Sequence, residues 1–542
     1  MKTRHKVAVN LLLGMLASTT IFITPFWSYD SINLPRLITL SMGAAIALGF
    51  LWLNRAELLK PCMRIVFSVV GMFVVWLLAS YLFSGTNGLQ SFYGVFGRNA
   101  GFLSYLSLAI LLLFGVIVSD QNAIGKVIIL LIGTGVFAGI YGLVQSEGRD
   151  PFDWTNPYSP VFSFFGNPNF HSSYMGMTAT AAFAMILSKL QIQKKMGLIL
   201  YICLALFNID KSNSQQGLLV FLIGCASVTF VYFVTRLQSK KINFTGSIVL
   251  IVSLIVLVLD IFQKAPWQSI FYKESVSARG DFWRAGWKMT TENPVFGVGP
   301  DGYRDSFKIF RDLKAVIRPG ADDVTDSAHN IFLDISSSGG FVLLLAYVVI
   351  QGLVLYSIVT SLRAQKQFNA AYTALVGAWI AYQAQSIISI NSLGLGIWGW
   401  VLGGLIIGYR DDQQIHVRKF SGLNYSISLV ALLVSMFFTI PQFLNDAEFR
   451  ASIKSGDVLR IAAAATKWPQ DVQRMNYISQ LLRENKFESQ ALPVALDAVK
   501  KFPKNYEAWE QLSLFSNLPD SERNNVEIML KKLNPTDPTL KS

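Results

Sequence analysis

Histidine and cysteine are scarce: four and three, respectively, in 542 residues. Cys62, Cys203 and Cys225 have no metal-like spacing, and two of them lie in apolar runs, so neither a disulfide framework nor a zinc site is implied. No HExxH, no cluster of carboxylates and no Cys–His set occurs. Charge is also thin. Only 15% of residues are Asp, Glu, Lys or Arg, against about 25% in ordinary globular chains. Hydrophobic residues make up 52%, and mean hydropathy is +0.43.

What the chain has instead is repeated apolar runs of membrane-crossing length. Thirteen candidate spans lie at roughly 8–27, 37–54, 65–83, 101–118, 126–145, 171–188, 196–208, 217–235, 246–263, 330–360, 370–390, 393–409 and 422–441. The seventh is short, and the tenth is long enough to start outside the bilayer. The basic start, M-K-T-R-H-K, runs into the first span without a small-x-small cleavage site, which reads as an uncleaved first helix.

Alternate loops differ sharply in Lys and Arg. One side receives Lys2, Arg4, Lys6, Arg55, Lys60, Arg64, Lys126, Lys189, Lys194, Lys195, Arg236, Lys240, Lys241, Arg363, Lys366, Arg410, Arg418 and Lys419. The short loops of the other side hold few, Arg98, Arg149 and Lys211 among them. The first side is therefore expected to be cytoplasmic, with the N-terminus on it. The segment 264–328 and everything after Pro441 then lie outside the cytoplasm. The first carries ten basic and nine acidic residues and the second fourteen and thirteen, so the net charge of +13 comes from loops that set topology. Nucleic-acid binding is not implied.

Residues 442–542 change character and read as short amphipathic helices. Lys467-Trp468-Pro469 recurs 34 residues later as Lys501-Phe502-Pro503, and Lys532-Leu533-Asn534-Pro535 follows 32 after that. This is the period of tetratricopeptide-like helix pairs, with proline closing each pair. Asn534–Ser542 reads as a frayed tail. The expected architecture is thus all-α: a polytopic membrane bundle over 1–441, and an extracytoplasmic helical-repeat domain over 442–542.

The chemistry-bearing types gather in the polar break between the ninth and tenth spans. In S-A-R-G-D-F-W-R-A-G-W, Arg279 and Arg284 alternate with Trp283 and Trp287. Guanidinium groups at the membrane surface suit a lipid pyrophosphate, which they grip bidentately, or the headgroups around an interfacial helix. His329, followed by Asn330, stands just before the tenth span. A near-neutral imidazole there can take a proton from an alcohol, or it can cap the helix. Asp322, Asp323 and Asp326 form either a hard-cation site or a solvated loop. Gly297, Gly299 and Gly302 fit G-x-G-x-x-G, but no strand precedes them and Pro300 interrupts, so they read as turn glycines. Asn167 and Asn169, in F-F-G-N-P-N-F, can cap the sixth span or contact sugar hydroxyls. The short outer loop from Lys211 through Gln215 to Gln216 is dense in hydrogen-bonding groups.

Four of these places together resemble the O-antigen ligase family of bacterial membrane glycosyltransferases. S-A-R-G-D-F-W-R-A is similar to that family's Arg-x-x-x-Trp-(Lys/Arg)-Ala, and N-P-V-F-G-V-G-P-D-G-Y to its Pro-x-x-Gly-x-Gly turn. A-H-N-I-F-L-D resembles its His-Asn helix start, and F-F-G-N-P-N-F its Gly-Asn-Pro-Asn segment. The resemblance implies glycan transfer from undecaprenyl pyrophosphate to an acceptor hydroxyl outside the bacterial cytoplasmic membrane, without metal or other cofactor. Arg279 would hold the pyrophosphate and His329 would act at the acceptor. Arg284, Lys211, Gln215, Asn167, Asn169 and Asn330 would line the substrates. Partners would be the polyprenyl-linked donor, a glycan, lipid or protein acceptor, and membrane lipids. Where the family often carries a second arginine this chain has Ser214-Gln215-Gln216-Gly217, leaving Lys211 or Arg284 to substitute. A polymerase extending a lipid-linked glycan would use the same motifs. A transporter for such a lipid would need charged residues inside the spans.

The loop charges make a direct prediction. Alkaline phosphatase fused after Pro441 should be active, and a fusion between Arg410 and Lys419 inactive. The reverse pattern overturns the thirteen-span topology.

Overall fold

The computed structural model describes residues 2–154, 161–237, 274–317, 320, 322–365, 367–409 and 422–538. Its secondary structure is helical, with no strand among the described residues. Each expected span except the ninth, which lies outside the described residues, coincides with a helix. Among the described residues, seven helices are long and apolar enough to cross a membrane: Asn33–Leu53, Met63–Phe83, Gln121–Ser146, Ile192–Lys211, Gln216–Arg236, Ile331–Ala364 and Tyr425–Ser455. The seventh expected span, short in hydropathy, extends at both ends to the 20-residue helix Ile192–Lys211.

The helices pack through small residues, as membrane bundles do. A side chain on Gly404 would overlap the Leu112 carbonyl, so the Leu393–Gly408 helix lies directly against Phe102–Val118. Around them Trp398, Tyr174, Tyr347, Tyr372, Tyr382, Phe73 and Phe114 fill the core.

Contacts among the described loops gather them at two ends. At one end His5 pairs with Asp120 at 2.8 Å, and Gln121 bonds Asn369 and Tyr409. At the other, Arg36 donates from one nitrogen to the Thr20 and Phe164 carbonyls at 3.0 and 2.7 Å. The same end gathers the turn at Asn87, the loop around Arg98, the 293–329 segment and the C-terminal helices.

The tenth expected span is the 34-residue helix Ile331–Ala364, broken at Gly339 and Gly340. Its first eight residues precede the break. The Pro294–Gly299 turn is docked into that break. Phe341 N–H donates to the Pro294 carbonyl at 2.9 Å, and Val298 N–H to the Ser337 carbonyl at 2.7 Å. From the Pro61–Phe83 helix, Trp76 Nε1 donates to the carbonyls of Val295 and Gly339, and Ser80 Oγ to those of Phe296 and Ser338. These contacts take up the Phe341 amide and the carbonyls of Ser337, Ser338 and Gly339 that the break releases. Gly297 and Gly299 do adopt positive φ, 62° and 95°, in keeping with their reading as turn glycines, whereas Gly302 does not, at −84°.

The last apolar helix does not stop at Pro441. It runs from Gly422 to Ser455 with that proline inside, and Phe449 already belongs to the core of the C-terminal part. Then come Val458–Thr466, Val472–Glu484, Glu488–Lys501, Tyr506–Ser513 and Asp520–Leu533. Helices starting at Val472 and Tyr506 keep the 34-residue step. The expected frayed tail is corrected at its start: Asn534 is buried and accepts from Arg311 Nη2 at 3.0 Å, so a long-range partner orders it.

Gly340 sits at φ 69°, and a Cβ there would overlap the Pro294 and Val295 carbonyl oxygens. Gly340→Ala should therefore lower stability by roughly 1–3 kcal/mol or more. Thermal unfolding of the detergent-solubilised protein reads this, and an unchanged midpoint contradicts the docking described.

Candidate active site

His329 is placed by its neighbours rather than by a helix. Its backbone is left-handed, φ 55°, a conformation rare outside glycine and held only when the surroundings over-determine it. Those surroundings are specific. Asp334, one turn into the following helix, accepts from Ala328 N–H at 2.7 Å and from Ser327 Oγ at 3.0 Å. Ser327 Oγ in turn accepts from His329 N–H at 2.8 Å. The imidazole Nδ1 lies 3.2 Å from the Ser327 carbonyl. A carbonyl only accepts, so Nδ1 carries the hydrogen and Nε2 keeps its lone pair. The ring rests against Phe282, centroids 5.4 Å apart.

Beneath this strap lies Arg98, 8% exposed, which pairs with Asp301 at 3.3 Å and Asp334 at 3.6 Å and donates to the Asp326 carbonyl. Its role was not visible in the sequence, where it counted only as one of the few basic residues in that side's short loops. Asp334 was inside the quoted motif and went unassigned. Its place five residues after an unusual histidine was the available clue.

Arg279 lies on the helix Glu274–Glu292, one turn before Phe282 and Trp283. Among the described residues no carboxylate pairs with it, and burial lowers its pKa. Its charge reaches His329: burial first, then Arg279, push the imidazole down to about 4, with Arg98 adding to the effect. Trp283 is buried against Ile388, Leu219 and Leu333, whereas Trp287 is half exposed beside Phe341.

The other expected residues fall into different situations. Arg284 is spent on two carboxylates, Asp281 and Asp312, the latter at 3.0 Å, and is 48% exposed. Lys211, similarly exposed, stands 3.9 Å from Asp210 and over the Phe207 ring. Neither joins Arg279. Asn330 caps its helix, accepting from Phe332 and Leu333 N–H. Asn167 likewise caps the helix Pro168–Ile186. Asn169 accepts from Ser214 Oγ at 2.7 Å and so ties that helix to the 212–217 loop. In that loop Gln215 is exposed and Gln216 buried. Both amide atoms of Gln216 lack a partner among the described residues. Gln216 shares a helix face with Leu219, which packs on Trp283. The buried, unpartnered amide of this loop is thus Gln216, a residue the sequence reading passed over for its neighbour. The acidic run is partly neutralised, Asp326 by Arg304. No group of three His, Cys, Asp or Glu suited to a metal occurs among the described residues.

A neutral imidazole with a free Nε2, next to a guanidinium with no carboxylate, can accept a proton beside a bound anion. Residues 196–348, which contain all of this strap and the Arg279 helix, match the family model described as O-Antigen ligase. Those residues are an O-antigen ligase domain. No curated protein matches the chain. The O-antigen ligase assignment and the apolar helices make the protein a multi-pass membrane enzyme of glycan transfer in general, with a lipid-linked glycan and an acceptor as its partners.

The lowered imidazole pKa makes a prediction with a definite sign. The base must be neutral to work, so kcat/KM should stay level as pH falls to 5 and drop only as pH passes through about 4. A bound anion would offset the Arg279 charge, so the acid limb of kcat should lie higher than that of kcat/KM. Stability follows the same window. The unfolded chain takes up a proton near 6.5, and the folded site only near 4, so stability falls as pH drops between them. A pH–rate series in detergent measures both limbs, and coincident limbs would remove Arg279 from the donor site.

Proposed function

We propose that this O-antigen ligase domain transfers a glycan from polyprenyl pyrophosphate to an acceptor hydroxyl at the extracytoplasmic face of the membrane. The observation that carries this is the pair at the outer end of the bundle: Arg279, without a carboxylate partner among the described residues, beside His329 with Nε2 unprotonated. The Lys and Arg bias supports the side.

The acceptor O–H would give its proton to His329 Nε2 as its oxygen bonds to the anomeric carbon. The bond from that carbon to the pyrophosphate oxygen breaks, and its electron pair leaves with the diphosphate. Arg279 stabilises the charge that accumulates there, in a half-buried site where such a contact counts for more than in water. Gln216, whose buried amide has no partner among the described residues, would hydrogen-bond a phosphate or sugar oxygen. No step asks for a metal. Arg284 and Lys211, remaining solvent-accessible, would meet headgroups or outer sugars. Asn167, Asn169 and Asn330 would act by holding the backbone that carries Gln216 and His329. The C-terminal helices would present the acceptor or a partner protein, since they hold no reactive cluster.

His329→Ala should keep donor binding and slow transfer by roughly 10²–10⁴-fold. Arg279→Lys should already weaken donor use, because a point charge does not replace a bidentate fork. Turnover of purified protein with a lipid-pyrophosphate glycan, with and without chelator, tests both. Near-normal turnover in both variants refutes the assignment, and loss on chelation that a divalent cation restores would replace it with a metal-dependent mechanism.

A further inference from the structure

The strap that carries His329 is held from two sides. Arg98, from the membrane bundle, takes the carbonyl of Asp326. The carboxylate of Asp326 is taken by Arg304, on the short outer helix Tyr303–Phe310. Arg304 does not end the chain of contacts. Its other terminal nitrogen bonds Glu507 Oε1 at 2.6 Å, and Glu507 belongs to the C-terminal helix Tyr506–Ser513. Glu507 is fixed in turn by Gln473 Nε2, which donates to its second oxygen at 3.0 Å from the Val472–Glu484 helix.

We propose that Glu507 is a positioning residue for His329, acting through Arg304 and Asp326, so that the C-terminal helical domain is part of the active-site framework. The three ionic side chains are 19% (Arg304), 32% (Asp326) and 25% (Glu507) exposed. Pairs this sheltered are screened less than surface ion pairs, and a partner left behind by a deletion stays charged in a place poor in water. Arg304 would otherwise have a single carboxylate, and a flexible side chain with one partner is free to swing out to solvent.

The surrounding interface keeps the chain in register. Asn505 Nδ2 donates to Asp305 Oδ1 at 2.7 Å, next to Arg304 on the same helix. Arg311 reaches Asn534, and Lys308 lies 4.1 Å over the Tyr506 ring. Asn87 Nδ2 donates to the Lys501 carbonyl at 2.6 Å. Tyr303, Arg304, Asp305, Lys308 and Arg311 are thus sandwiched between the strap and the C-terminal helices. His329, three residues after Asp326, has a backbone conformation that needs such support.

The inference rests on the proposed role of His329, and its test has an arm that does not. Hydrogen–deuterium exchange of the full chain in detergent should show faster exchange over residues 322–330 in Glu507→Ala and in the isosteric Glu507→Gln. Exchange in Val472–Glu484 and Asp520–Leu533 should stay unchanged. In turnover, kcat should fall on the order of 10–10²-fold with the donor KM unchanged, because misplacing a reacting group by an ångström costs about that much while Arg279 stays on its own helix. Glu507→Asp should recover part of both. If the C-terminal helices exchange globally in Glu507→Ala, Glu507→Gln decides. Native exchange at 322–330 in a folded Glu507→Gln overturns the proposal. If the wild type transfers no glycan at all, the functional reading fails, and the exchange arm still decides whether Glu507 holds the strap.

Discussion

The carboxylate of Asp334 is the interaction on which the site depends. It is nearly inaccessible, accepts from Ala328 N–H and Ser327 Oγ, and is paired with Arg98. A charge so placed is tolerable only when its lone pairs are all engaged. Engaging them forces the strap to fold back over the start of its own helix, and that fold puts His329 in a left-handed conformation with Nδ1 against a carbonyl. One buried charge therefore fixes the position, the tautomer and the exposed nitrogen of the ring. The helix carrying Asp334 is itself held by the Pro294–Gly299 turn in its break, so the docking of that turn and the aim of the imidazole form one mechanical unit.

Much of the helical framework was legible because its cause is local. Apolar runs of about 20 residues, broken by Lys and Arg, encode helices whatever they pack against. The lengths were misjudged at the first run, whose helix ends at Ile21, at the start of the fifth, which begins at Gln121, at the short run 196–208 and at the end set at Pro441. A proline late in a long helix does not end it when neighbours cover the freed carbonyl, and here the helix continues to Ser455. Arg279 and His329 were legible too, as rare polar types in a conspicuous break. Arg98, Arg304, Asp334 and Glu507 were not, because their meaning lies in pairings across some 200 residues or more: Arg98 with Asp301, and Arg304 with Glu507. No spacing rule reports those. Gln215 was preferred to Gln216 for the same reason, since two adjacent glutamines differ only in the direction the helix start turns them.

The C-terminal helical part is anchored as firmly as the strap it meets. The Gly422–Ser455 helix enters it without interruption, and Asp446 on that helix accepts from the backbone N–H groups of Tyr29 and Asp30 at 2.6 and 2.9 Å. Tyr29 packs edge-on against Phe449, at a centroid distance of 4.8 Å. The first outer loop, the last apolar helix and the C-terminal helices are thus joined on one side, while Arg304 and Arg311 join those helices to the strap on the other. A domain held at two well-separated places cannot swing away about a single linker. On the proposed reading its surface stays at a set distance from the reacting centre, which suits the presentation of an acceptor.

The distribution of charge also weighs against the transport reading. Moving a lipid-linked glycan's charged head across the bilayer calls for ionisable groups along a path through its middle. The buried charges here collect instead at the outer end: Arg36 beside the 164 loop, Arg98 with Asp301 and Asp334, and Arg304 with its two carboxylates. Between the two ends the core is filled by aromatic side chains in mutual contact, with Phe73, Tyr105, Tyr347 and Trp400 packed at centroid distances of 5.5–6.5 Å. Charge gathered at one end, with the Arg279 guanidinium held by no carboxylate among the described residues, fits a site that receives an anionic lipid head and reacts it there.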